Sequence, residues 1–166
     1  MDPDSQRQVQ EFAAKYADRI PGSIILEIGS QNINGSCRPF FQGAKFYFGI
    51  DVLPGPEVDI VLIDPYKFPF VDGFFDFVIS ANCLEHCTRP WETVKEAARV
   101  LKPGGLFFSS QPWKFDVHKD ARCPKDCYRI LEDGMIALMD YAGLNVVATG
   151  TVSEHCMGIG EKPNVI

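Results

Sequence analysis

The segment 24–36, Ile-Ile-Leu-Glu-Ile-Gly-Ser-Gln-Asn-Ile-Asn-Gly-Ser, narrows the choice of fold more than any other stretch of the chain. It starts as an apolar run, turns acidic at Glu27 and then breaks into small and amide residues. A short apolar run closed by Gly reads as a buried strand. The following Gly29–Gly35 segment reads as a loop that passes close to something, because Gly lets backbone approach where a Cβ would collide. In an α/β sheet this is the carboxyl end of the first strand, where ligands sit.

The rest of the chain repeats the alternation. Val9, Phe12, Ala13, Tyr16 and Ile20 recur at helical spacing, so an amphipathic helix is expected near residues 5–19, ahead of Pro21-Gly22. Strands are expected at 23–28, 45–50, 58–63, 75–80, 106–110 and 145–152, with a short helix over 34–41. Asn82 and Glu85 have the spacing of a capping box, and Pro90 opens a helix whose face carries Trp91, Val94, Ala98 and Leu101. Lys102-Pro-Gly-Gly105 stops it. Leu131, Met135, Leu138, Met139 and Ala142 form the stripe of a further helix, capped by Gly143. The 111–129 connection, long and rich in Pro, His and Cys, has the character of a binding loop. Nearly continuous apolar strands alternating with helices imply a mostly parallel sheet with helices on both faces. No composition break divides the chain. We expect one domain over 1–166, with an N-terminal helix within 1–20 and 111–129 on the substrate side.

With 166 residues the chain can bury a real core, and 46% hydrophobic with 23% charged content is ordinary for a globular protein. A net charge of −6 argues against nucleic acid or an anionic membrane as the main partner. No apolar run approaches the ~20 residues of a membrane span, and Met-Asp-Pro-Asp-Ser-Gln-Arg lacks the order of a signal peptide. The expected location is cytoplasmic, with the six cysteines as thiols.

Glu27, Asp51 and Asp64 each lie at or near an apolar strand end, and in such sheets those ends share one edge. Asp51 follows Glu27 by ~24 residues, near the spacing at which a carboxylate accepts ribose hydroxyl hydrogen bonds. A carboxylate offers a diol two acceptor oxygens and no donor. One such residue alone is just a polar strand end. With the glycine loop, the three point to a nucleoside-containing ligand. The dinucleotide fingerprint Gly-x-Gly-x-x-Gly fails, because Gln31 and Asn34 occupy its second and third positions from Gly29. That disfavours a nicotinamide oxidoreductase and suits a ligand with an ammonium, a ribose and no phosphate.

Leu26-Glu-Ile-Gly-Ser30, Gly49-Ile-Asp51, Asp64-Pro-Tyr-Lys-Phe-Pro-Phe70, Phe75-Asp-Phe-Val-Ile-Ser80, Leu84-Glu-His86 and Arg99-Val-Leu-Lys-Pro-Gly-Gly105, in that order, resemble the class I S-adenosylmethionine-dependent methyltransferases, most closely the type 11 methyltransferase family. The resemblance implies a Rossmann-like, mostly parallel seven-stranded sheet with an antiparallel last strand. It implies S-adenosyl-L-methionine as cofactor and methyl transfer to a small-molecule acceptor. Glu27, Gly29 and Ser30 would sit beside the methionine part, Asp51 would take the ribose hydroxyls, Asp64 with Pro65 or Tyr66 would face adenine, and Ala81 and Asn82 would line the other side. Two departures stand out. Gln31 replaces the usual second Gly, so Asn34-Gly35 is expected to supply the tight turn. The tail after the sixth strand looks short for a full seventh strand, which leaves that edge, and a homodimer through it, open.

Methyl transfer needs chiefly a positioned nucleophile, and a general base only for a weakly acidic acceptor. The candidates are His86, His118, Asp126 and Tyr128. His118 to Arg129 resembles a His, Pro, Asp-Tyr-Tyr-Arg pattern of some family members, with Cys127 in place of the first Tyr and Leu131 where a Thr helix cap often sits. The plainer reading is that Asp126 and Arg129 pin the loop and His86 packs its helix. Cys83 and Cys87, and Cys123 and Cys127, are each four apart, a spacing that raises structural zinc, but such cysteines are more often small buried hydrophobes and no metal is assigned. The altered glycine loop also keeps a second reading alive, a cofactor-binding module of the same fold without turnover.

Overall fold

The computed structural model describes residues 3–119 and 123–164. Seven strands form one sheet: β1 (Ile24–Ile28), β2 (Phe46–Asp51), β3 (Ile60–Val61), β4 (Phe75–Ala81), β5 (Leu101–Pro112), β6 (Asn145–Val152) and β7 (His155–Glu161), in the order β3-β2-β1-β4-β5-β7-β6. β1 pairs in parallel with β2 and β4, and β4 in parallel with β5, so their carboxyl ends meet at one edge. β7 runs antiparallel between β5 and β6. The tail therefore does complete a seventh strand. Ser153-Glu154 turns the chain straight back, with Ser153 in the left-handed region (φ 53°), and the glycines at 158 and 160 let β7 slide under α3 (Glu132–Tyr141). A Cβ at Gly158 would lie 2.4 Å from Met139 Cε.

Strand alternation divides the core. Ile25, Phe77, Ile79, Leu106, Phe108 and Ile159 face α1 (Pro3–Lys15), where Val9, Phe12 and Ala13 cover them. Leu26, Ile28, Val78 and Phe107 face α2 (Pro90–Val100) and α3 through Val94, Ala97, Ala98, Met135 and Met139. A register shift between Phe75 and Phe77 swings Phe75 to the α2 side, into a cluster with Phe48, Phe70 and Phe74. Helices thus cover both faces. No described helix is long and apolar enough to cross a membrane.

Three expected elements change. The helix over 34–41 is only a single 3-10 turn at Arg38–Phe40, because Asn32 Oδ1 accepts the Gly35 N–H (3.0 Å) and Ser36 Oγ accepts the Arg38 N–H (3.1 Å), local bonds that compete with a helix. The strand over 58–63 shrinks to two residues. Asp59 uses its carboxylate rather than its backbone to take the Gly49 N–H (2.7 Å), and Ile63 stands fully exposed. Asn82 is no helix cap. Its backbone is left-handed (φ 51°), its side chain accepts from Ser5 on α1, and the chain continues into a 3-10 turn at Leu84–His86.

Arg99, near the end of α2, fastens the 68–72 segment to that helix. It donates to Glu96 (2.7 and 2.8 Å), Asp72 (2.7 Å) and the carbonyls of Phe68 (3.1 Å) and Phe70 (2.9 Å). A planar five-donor fork can serve all four groups and an ammonium cannot. Arg99→Lys is expected to lower stability by about 1–3 kcal/mol in urea unfolding. An unchanged midpoint would show the clamp to be idle.

Candidate cofactor and acceptor site

The loop after β1 is fixed by amides. Gly29 (φ 75°) and Ser30 both donate backbone N–H to the Ile50 carbonyl (2.9 and 3.1 Å), which folds the chain across the end of β2. Gly29 is required twice over, by its positive φ and because a Cβ there would lie 2.6 Å from the Cβ and Sγ of Cys83. Gln31 sends its backbone N–H to Asp51 Oδ2 (3.3 Å) and its side-chain amide to the Pro54 carbonyl (2.9 Å). Asn32 bonds the Pro56 carbonyl (3.0 Å) and Glu57 Oε1 (3.1 Å), and Ser36 Oγ bonds the same carboxylate. The small residue that close packing demands has moved to the facing loop: a Cβ at Gly55 would sit 2.4 Å from Gln31 Nε2. The turn through Asn34-Gly35 is closed by Asn32, whose Oδ1 accepts the Gly35 N–H.

A cavity of about 930 Å³ opens at the shared strand edge, between this loop, the 82–88 segment and residues within 112–119 and 123–125. Glu27, Gly29, Asp51, Pro65, Tyr66, Ala81, Asn82, His86 and His118 all line it. Ser30, Asp64 and Tyr128 do not. Ser30 is buried behind the loop, its hydroxyl against Gly49. Asp64 is exposed and accepts the Tyr66 N–H (2.9 Å), so it shapes the turn. Tyr128 donates to the Thr88 carbonyl (3.2 Å) and ties the loop to the segment before α2.

At the cavity floor Glu27 is buried, and Tyr47 OH donates to its Oε2 (2.7 Å). Burial raises its pKa above the ordinary carboxylate value, and the Tyr47 hydrogen bond opposes part of that rise. Asp51 is only half-buried. It accepts the N–H groups of Gln31 and Leu53, the latter at 3.1 Å, and keeps further lone pairs for a ligand.

The other wall hangs on Gln111, a buried amide that the sequence pattern places in a loop and that lies near the end of β5 instead. Its Oε1 accepts the N–H groups of Cys83 (3.0 Å) and Leu84 (3.1 Å), and its Nε2 donates to Ser109 Oγ (2.9 Å) and the Ser80 carbonyl (3.1 Å). This holds the Leu84–His86 turn. Glu85 is completely buried, and burial pushes its carboxyl up to about 8, a rise that a hydrogen bond from its own backbone partly opposes. The Glu85 carbonyl accepts the N–H groups of Cys127 (2.7 Å) and Tyr128 (3.2 Å), and His86 Nδ1 meets the Lys125 carbonyl at 2.5 Å. Burial lowers the pKa of His86, partly offset by that carbonyl. Asp126 and Arg129 pair in a two-bond fork (2.6 and 2.8 Å), while Asp126 also accepts the His118 N–H (2.8 Å) and Arg129 donates to the carbonyls of Phe115 and Asp116 (both 2.8 Å). The pair therefore pins the loop. The Arg129 guanidinium holds the Asp126 carboxyl well below the usual range.

Several cavity residues have no signal in the sequence. Pro3 and Gln6 arrive from α1, Thr93 from α2 and His155 from β7. Their spacing marks them only as helix or strand residues, and topology alone brings them to the edge.

Residues 38–109 match a methyltransferase domain family. An uncharacterised methyltransferase of Mycobacterium avium (strain 104) is 47% identical over 106 residues, covering 57% of this chain and 42% of that protein. The chain spans about a third to two fifths of the length of the curated relatives it matches. In fold it is similar to the 1,6-didemethyltoxoflavin-N1-methyltransferase of Burkholderia thailandensis, solved with 1,6-didemethyltoxoflavin and S-adenosylhomocysteine, with a TM-score of 0.75 at 16% identity over 98% of this chain and 80% of that one. It is also similar to the [4+2]-cyclase SpnF, with a TM-score of 0.72 at 16% identity over 94% and 80% of the two chains. Residues 38–109 thus match a methyltransferase domain family, within a chain whose fold is similar to that of both solved proteins.

Proposed function

We propose that this chain uses S-adenosylmethionine to methylate a small-molecule acceptor in the cytoplasm. The observation that carries the reading is that Glu27, Gly29 and Asp51 line one cavity together with His86 and His118. The donor set suits the cofactor. Asp51 has acceptor capacity for the ribose diol, Glu27 offers a buried carboxylate to the methionine ammonium, and Ile33, Val52, Leu53 and Leu62 give adenine an apolar wall. When bound, the cofactor supplies a methyl carbon activated by a sulfonium. The protein's own work is to orient the acceptor and exclude water. Phe115 and Lys125 line the cavity next to His118 and His86, whose imidazoles are the groups proposed to meet the acceptor's polar atom.

The altered glycine loop at Gln31 supports a second reading, a cofactor-binding module of the same fold without methyl turnover, and a similar fold occurs in a protein named as a [4+2]-cyclase. Cofactor binding with no product across a broad acceptor panel would favour it.

Two measurements test the cofactor side. In calorimetry the chain is expected to bind S-adenosylhomocysteine, and Asp51→Ala to weaken binding at least ~10-fold, the loss of one to two good hydrogen bonds. Heat from neither S-adenosylmethionine nor its product would reject the reading. Glu27 has a folded pKa above its unfolded value, so between the two the native state holds the extra proton and stability falls as pH rises. Glu27→Gln should therefore gain urea resistance relative to the parent as pH climbs above 4.5 through that raised value. Parallel pH profiles for the two proteins would remove Glu27 as a buried titrating group.

A further inference from the structure

Glu85 is a buried carboxylate with few partners. Its side chain is 0% exposed, and neither carboxylate oxygen accepts a hydrogen bond from another residue. A buried carboxylate without partners is costly, and proteins keep such groups paired or on metals. Its surroundings supply two imidazoles. His86 Nε2 lies 3.7 Å from Glu85 Oε1, and the His118 ring stands edge-on to His86 with centroids 5.1 Å apart. One ligand atom from each of the three lies within 4.8 Å of the others, the one such group of three among the described residues.

The outer contacts also fit. A metal-bound imidazole ligates through one nitrogen and gives the other N–H to a carbonyl or carboxylate. His86 Nδ1 faces the Lys125 carbonyl at 2.5 Å. His118 Nδ1 faces the Asp116 carbonyl at 3.2 Å and Asp126 Oδ2 at 3.6 Å. Both rings thus have Nδ1 occupied and Nε2 left as the lone-pair donor. Ligands of a tetrahedral ion at ~2.1 Å stand ~3.4 Å apart, so the 3.7 Å Glu85–His86 gap is nearly closed already, and the separations to His118, up to 4.8 Å, need a side-chain shift of up to ~1.4 Å.

We propose that Glu85, His86 and His118 form a divalent-metal site at the acceptor end of the cavity, with its open coordination position toward the acceptor. Two imidazoles and one carboxylate suit zinc better than magnesium or calcium. Three protein ligands with one open position is also the arrangement of zinc sites that act on a bound oxygen. The cysteine pairs are a poorer set. Cys83 and Cys87 hydrogen-bond each other, Cys83 packs on Gly29, and Cys127 is exposed. Metal binding needs no cofactor. The role of the ion, holding an acceptor hydroxyl and lowering its pKa, rests on the proposed methyl transfer.

The test uses the full chain stripped with a chelator and titrated with zinc chloride alone. One equivalent should bind, and Glu85→Gln and His118→Ala should each weaken binding more than ~10-fold. His118→Ala, in the loop, is the control should the buried substitution unfold the chain. Cobalt(II) in place of zinc should give d–d absorption without a thiolate charge-transfer band. No binding to the folded chain, affinity unchanged in both variants, or a thiolate band would overturn the site. S-adenosylhomocysteine titrated alongside separates the two proposals, since zinc binding without its heat leaves the metal site standing and removes the cofactor, and the reverse removes only the metal.

Discussion

The side-chain amide of Gln111 is the point on which the acceptor half of the site depends. It sits at the end of β5 and joins three backbone segments: the end of β4 at Ser80, its own strand at Ser109, and the first N–H groups of the 83–86 turn. A 3-10 turn this short has few bonds of its own, so the amide fixes where Glu85 and His86 stand. Glu85 then offers its carbonyl to Cys127 and Tyr128, His86 meets the Lys125 carbonyl, and Arg129 carries the bonds onward to 115 and 116. His118 is placed by the last link of that chain, through Asp126.

The cofactor half is built differently. Its parts sit at the ends of β1, β2 and β4, whose register is set by burial on both faces. That explains which features were legible in the sequence. Apolar runs ending in Glu27 and Asp51 fix both the strand and the edge. Parallel order places those edges together without any knowledge of side-chain contacts. The α2 and α3 stripes were readable for the same reason, since their period follows from the core they cover. Where local side-chain bonds displace backbone ones, the pattern misleads. Asn32 and Ser36 undo a helix, Asp59 cuts a strand short, and Asn82, read as a cap, is drawn instead to Ser5 on α1.

Gln31 shows how an apparent defect is compensated. In the resemblance it stands where a glycine should be. In the structure its side chain reaches across to the Pro54 carbonyl, and the space it needs is vacated by Gly55 on the facing loop. Gly49 likewise admits the Glu57 carbonyl and the Ser30 hydroxyl, each within 2.5 Å of where its Cβ would be. The close approach that glycine permits is thus shared between two loops some 20 residues apart in sequence. No local motif records such an exchange.

The two halves also differ in what holds them. The sheet edge is backed by fully buried phenylalanines and aliphatic residues, whereas the described residues 113–119 and 123–131 expose Phe115, Val117, Tyr128 and Leu131 and rest on backbone bonds and the Asp126–Arg129 pair. Segments with little apolar burial open at lower free energy than the core. The Asp126–Arg129 fork ties residues 115–118 and 126–129 to each other, so opening would move these stretches as a unit and keep His118 in place relative to them. The Asp126 carboxyl, held well below the usual range by Arg129, keeps its charge as pH falls through ordinary carboxylate values, so the unit survives until the depressed pKa is reached.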